Sequence, residues 1–138
     1  VGGSRSAQGA GAAGVTSGFL DTSVLVDVGR GYQPATFWLS SQPLLAIVPT
    51  VRMELVAGAK NKTEQMKAIR LAAKFQMIYF TQVDLDWAMQ QVIYTLSHNV
   101  GMNDCLIACI AHRLQLPLYT TNLKHFAPLL DSLAQKPY

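Results

Sequence analysis

Four short apolar runs, GFLD at 18–21, LLAIV at 44–48, MIYF at 77–80 and LPLYT at 116–120, are separated by longer stretches with apolar residues at helical spacing. Runs of this length without polar alternation read as strands buried on both faces. Strands that alternate with helices pair in parallel, because the crossover returns the chain to the edge where it started. The expected fold class is therefore α/β, with a parallel sheet covered on both faces. Thr22 or Ser23, Thr50, Asp84 or Asp86, and Asn103 are the expected N-caps or starts of helices, and Pro34 opens one as well. A short helix around NLKHFAPLL closes the pattern.

Parallel strands place their carboxyl ends on one edge, where open α/β sheets bind ligands. Asp21 ends the first strand and Glu54 lies in the first turns of the helix after the second. Asp104 opens a helix, and Asn122 follows the last of the four runs. Acidic residues are scarce, eight in 138, so carboxylates inside apolar sequence need a reason. Burying them is costly unless they are paired, protonated or bound to a cation. Asp21 alone could be a turn residue, Asp104 a helix-start charge and Glu54 an exposed helix residue. Their convergence on one edge argues instead for a divalent metal site. Asp27, Asp84 and Asp86 read as surface or capping residues, and Trp38 and Trp87 as core or interface.

Half of the residues are hydrophobic, enough for one domain with its own core. That domain is expected at 17–138. Residues 1–16 are rich in Gly, Ala and Ser and read as a flexible linker or an expression remnant. The net charge of +3 and pI near 9.0 suit a polyanionic partner only weakly. Arg52, Lys60, Lys62, Lys67, Arg70 and Lys74 read first as a solvated helical face and second as a nucleic-acid footprint, in which Arg52, Lys60 and Lys62 are the candidate phosphate contacts. Cys105, Cys109 and His112 form a helical row without a fourth ligand, so buried small hydrophobes are the plainer reading. Unpaired thiols fit a reducing compartment, here the cytoplasm. No apolar run reaches the roughly 20 residues of a membrane span. His98 and His125 are equally suited to surface or substrate contact, and His112 to a structural place.

The segments LDTSVLVD, VRMELVAGA, GMNDCLIACIAHRLQLPLYTTNLKHF and the closing KPY resemble the PIN-domain nucleases, and within them the VapC-type toxins of toxin–antitoxin pairs. The resemblance spans residues 18–138. It implies a three-layer α/β/α sandwich and an endoribonuclease dependent on Mg²⁺ or Mn²⁺, with RNA as substrate. It also implies a VapB-like antitoxin that blocks the enzyme, and a homodimer. By position, Asp21, Glu54 and Asp104 match the family's catalytic and metal-binding acids. The fourth acidic position falls on Asn122, an amide that adds no charge and puts a second metal ion in question. Thr22 and Ser23 are expected to support the first Asp through their hydroxyls.

These residue types suit that chemistry. Hard cations prefer oxygen ligands, and a bound divalent ion offsets carboxylate repulsion, binds phosphate and activates water. A haloacid-dehalogenase-type phosphotransferase would need an acid two residues after Asp21, where Ser23 stands. A receiver domain would need adjacent acids and a late Lys, for which Lys124 is a poor substitute. A catalytically weakened RNA-binding or antitoxin-binding module is the nearer alternative, because Asn122 departs from the family pattern.

Overall fold

The computed structural model describes residues 16–138. Of the linker expected at 1–16, residues 1–15 lie outside them, while Thr16 is buried and donates its hydroxyl to the Gly18 carbonyl at 3.2 Å. In chain order the elements are β1 (Phe19–Leu20), α1 (Thr22–Gly29), α2 (Gln33–Ser40), β2 (Ala46–Ile47) and α3 (Pro49–Ala57). They continue with α4 (Lys62–Ala72), β3 (Gln76–Met77), α5 (Gln82–Tyr94), α6 (Met102–Leu114), β4 (Leu118–Tyr119), α7 (Leu123–Leu130) and β5 (Ala134–Gln135).

The five strands form one sheet in the order β3-β2-β1-β4-β5, every pairing parallel. Successive strand residues point to opposite faces. Phe19 and Leu20 are both fully buried, so helices cover the sheet on both sides as an α/β/α sandwich. The strand order reverses between β1 and β4, which opens a crevice outside their carboxyl ends. Gly18 lets these two strands approach: a Cβ there would stand 3.0 Å from the Tyr119 ring and 3.1 Å from the Pro117 carbonyl oxygen.

The observed strands are shorter than the apolar runs that announce them, and β5 was not expected at all. Several helix starts also move. α1 is capped by Asp21 rather than Thr22 or Ser23, and α3 starts at Pro49 with no side-chain cap, the Thr50 hydroxyl being buried without a partner among the described residues. α5 is capped by Thr81, with Asp84 closing the capping box from the third helical position. α6 is capped by Gly101 rather than Asn103, because Asp104 turns back to the Gly101 N–H.

Asp84 does more than cap. Its side chain is fully buried and forms a two-bond pair with Arg113 of α6, 2.7 and 3.1 Å, tying α5 to α6. Trp87 stacks on His112 at 4.4 Å, and Trp38 meets Tyr119 edge-on at 4.8 Å, both half-buried against the core. Asp27 accepts a 2.7 Å bond from the Tyr138 hydroxyl and pairs with Arg30, which fixes the end of the chain against α1. Cys105 and Cys109 are buried and unbridged, and burial pushes the Cys109 thiol up to about 12. No helix among the described residues is long and apolar enough to cross a membrane.

Candidate active site

β1 delivers Asp21 to the crevice, and the extended backbone there (φ −75°, ψ 155°) lets the side chain fold over the start of α1. Asp21 Oδ1 accepts the Thr22 N–H at 2.8 Å. Oδ2 accepts two hydroxyls, Ser23 and Thr120, each at 2.8 Å. The residue is 4% exposed. Burial pushes its carboxyl above the ordinary 3.8, and the charge of Glu54 pushes the same way; the three hydrogen bonds pull it back without cancelling the rise. Among the described residues, no Lys, Arg or His forms an ion pair with Asp21 or Glu54.

The turn after β4 supplies the other wall. Thr120 is fully buried, and its oxygen accepts the Asn122 N–H at 2.9 Å while its hydrogen goes to Asp21. Ser23 likewise accepts the Thr121 N–H at 3.1 Å. Both hydroxyls therefore have their proton directed at the Asp21 carboxylate by a backbone donor on the opposite side. Thr22 donates to Glu54 Oε1 at 2.5 Å, which joins α1 to α3 and brings the second acid beside the first. Glu54 itself is exposed, not embedded as its apolar neighbours suggested.

Asp104 reaches the same edge by another route. Its Oδ2 accepts the Gly101 N–H at 2.9 Å and lies 3.4 Å from His125 Nδ1 on the first turn of α7. Asn122 occupies the N-cap of α7 without using its side chain as a cap, and is exposed. Of the expected set, Asp21, Thr22, Ser23 and Glu54 are joined by hydrogen bonds, whereas Asp104 stands outside that network. Among the described residues, no three His, Cys, Asp or Glu side chains gather closely enough to hold a metal ion together. Arg52, Lys60 and Lys62 are exposed; Lys62 bonds Gln65 and the Lys60 N–H bonds Glu64.

The sequence reading missed Thr120, the most buried of the residues that hold Asp21, and Gly101, which holds Asp104. The signal for the first was a Thr directly after a strand on the ligand edge. A cleft of about 530 Å³ adjoins Glu54 between α1, α3 and α4, floored by Leu25, Val28, Leu55 and Leu71 and flanked by Lys67 and Lys74.

An open parallel sheet with paired acids and convergent hydroxyls at its switch point defines an α/β domain with an acidic, oxygen-lined site. The PIN domain model matches residues 18–127, and the chain belongs to the PIN-domain family. Within that family it is similar to Ribonuclease VapC10 of Mycobacterium tuberculosis, 34% identical over 119 residues that cover 83% of this chain and 88% of the relative. Among solved structures, a toxin–antitoxin complex from Klebsiella pneumoniae superposes with a TM-score of 0.73 at 26% identity, covering 88% of this chain and 98% of that one. VapC20 of M. tuberculosis, described as a toxin that cleaves the sarcin–ricin loop, shares the fold at a TM-score of 0.63 and 17% identity, covering 82% and 95%.

Proposed function

We propose that this chain is the toxin of a VapBC-type toxin–antitoxin pair, an endoribonuclease that hydrolyses RNA phosphodiester bonds with Mg²⁺ or Mn²⁺. The observation that carries the reading is Asp21: buried, oriented by three hydrogen bonds, beside a second acid and, among the described residues, without a cationic partner. A carboxylate raised by burial and by a like charge is stabilised by a cation. The donor set is all oxygen, which fits a hard ion. Mg²⁺ keeps several waters and takes only one or two carboxylates from protein, so the pair Asp21 and Glu54 fits it without a closed cage. Such an ion, when bound, supplies charge against the phosphate and activates water.

The protein's own part is geometric. Thr120 and Ser23 fix the Asp21 carboxylate, Thr22 fixes Glu54, and Asp104 and Asn122 complete the rim. Arg52, Lys60 and Lys62 lie in a basic, exposed stretch suited to the RNA backbone. The apolar cleft beside Glu54 suits a segment of a VapB-like antitoxin whose Arg or Lys reaches the acids. An exposed apolar face on α5 suits a second copy of the chain, as a homodimer. The cytoplasm, where RNA and reduced thiols coincide, is the matching compartment.

The deciding experiment incubates purified chain with total RNA and Mn²⁺, maps new RNA ends, and repeats this with EDTA and with Asp21→Asn. Cleavage that needs both the metal and Asp21 is the expected result. RNA binding without cleavage would instead favour the weakened-module reading, for which the exposed Asn122 is the specific observation. Cleavage indifferent to EDTA and to Asp21→Asn would overturn the proposed site.

A further inference from the structure

Asp104 is the acid that the hydrogen-bond network around Asp21 leaves out, and two groups hold it. The Gly101 N–H fixes it only relative to its own helix, since this bond is a capping box closed within α6. The other group comes from a different element. His125 sits on the first turn of α7, its Nδ1 3.4 Å from Asp104 Oδ2 and its backbone N–H bonded to the Asn122 carbonyl at 3.0 Å. It therefore connects the third acid to the amide position on the opposite rim. Both bonds to Asp104 fall on Oδ2, and Oδ1 makes none among the described residues.

We infer that His125 is a positioning residue that holds Asp104 against α7, outside the Asp21–Glu54 network but on the same sheet edge, with one oxygen left free to accept from a water of a cation held by that pair. This rests on the reading of the acids as a divalent-cation site. The neutral ring with hydrogen on Nδ1 suffices, because a carboxylate oxygen accepts. Partners that orient a metal-binding carboxylate are worth about 10- to 100-fold in affinity or activity when removed. The two side chains are 36% and 20% exposed, so the contact is at the rim and its loss opens no cavity in the core.

The test is calorimetric titration of Mn²⁺ into the metal-free full chain, with thermal unfolding as a control, for wild type, His125→Ala and His125→Asn. An Asn amide nitrogen takes roughly the place of Nδ1 and can donate. His125→Ala should weaken Mn²⁺ binding by about tenfold with little change in unfolding midpoint. His125→Asn should recover most of it. In RNA cleavage the Ala variant should lose kcat with KM retained. Unchanged Mn²⁺ affinity in His125→Ala, or an Asn variant no better than Ala, overturns the positioning role while leaving the metal-site reading intact. A wild-type chain that binds no Mn²⁺ overturns the metal-site reading and this inference with it.

Discussion

The Thr120 hydroxyl spans 99 residues of sequence to bond Asp21 Oδ2 at 2.8 Å, and the Asn122 N–H leaves it no freedom to turn away. Thr120→Val keeps the shape and removes the donor. The buried carboxylate then loses one of three bonds, and the Asn122 N–H loses its acceptor. The expected cost is about 2 kcal/mol in metal-free protein, read from urea unfolding. RNA cleavage should fall as well, because Asp21 can rotate. Unfolding that matches wild type would show that Thr120 only fills space.

Asp21→Asn should abolish cleavage, and its metal-free stability relative to wild type should depend on pH in a definite sense. The sign follows from linkage. The folded carboxyl lies above 3.8, so between that value and its raised one the folded state binds more protons than the unfolded state. Stability due to this group therefore falls as pH rises through the window, and the penalty is complete above it. The amide NH2 of the variant faces a donor at every pH, a constant cost, so the variant's stability relative to wild type should be higher at neutral pH than near pH 3. Urea midpoints in EDTA across this range measure it; a relative stability that rises toward acid would contradict the assignment.

Asp84 behaves in the opposite sense. Burial pushes its carboxyl up, but Arg113 and the Thr81 bonds outweigh burial and hold it below 3.8. Its contribution is present above 3.8 and is lost as pH falls through the lower folded value. Arg113→Met strands the buried charge and should cost about 3 kcal/mol, the low end for a broken buried pair because the guanidinium is a third exposed. Chemical unfolding at pH 7 tests it.

The Asn122 side chain makes no capping bond, so Asn122→Asp adds charge without breaking a contact. Mn²⁺ should bind more tightly to the variant, and the metal-free form should be slightly less stable. Identical titrations would place residue 122 outside the cation site.

Leu85, Met89, Val92, Ile93 and Leu96 are all large, apolar and exposed along α5 and its end. Ile93→Asp puts a charge in the middle of that face. Light scattering should show a dimer for wild type and a monomer for the variant, with the circular dichroism of the two unchanged. A monomeric wild type removes the homodimer.

Four strands and their parallel pairing were legible because buried β segments leave apolar runs. β5 was not, since Ala134–Gln135 pairs through backbone alone and carries no apolar pattern. Helix starts were misplaced by one to a few residues wherever a carboxylate did the capping. Asp21 and Asp104 each turn back on the start of a helix while also being candidate site acids, and sequence assigns a side chain to one task more readily than to two. The apolar surroundings of Glu54 in sequence did not translate into burial, because α3 presents it outward to Thr22. Asp84 was the reverse: a capping residue whose burial depends on Arg113, 29 positions away.

The two-residue strands have a consequence for timing. β1 is made early but sits at the centre of the sheet, and its neighbour β4 emerges almost a hundred residues later. Pairs so distant close slowly, because chain entropy is spent before any contact repays it. Until β4 and Thr120 arrive, Asp21 is an ordinary carboxylate on a solvated chain. The proposed site is thus assembled only once β4 and Thr120 have been made, so a growing chain that stops short of them carries Asp21 without the hydroxyl that orients it.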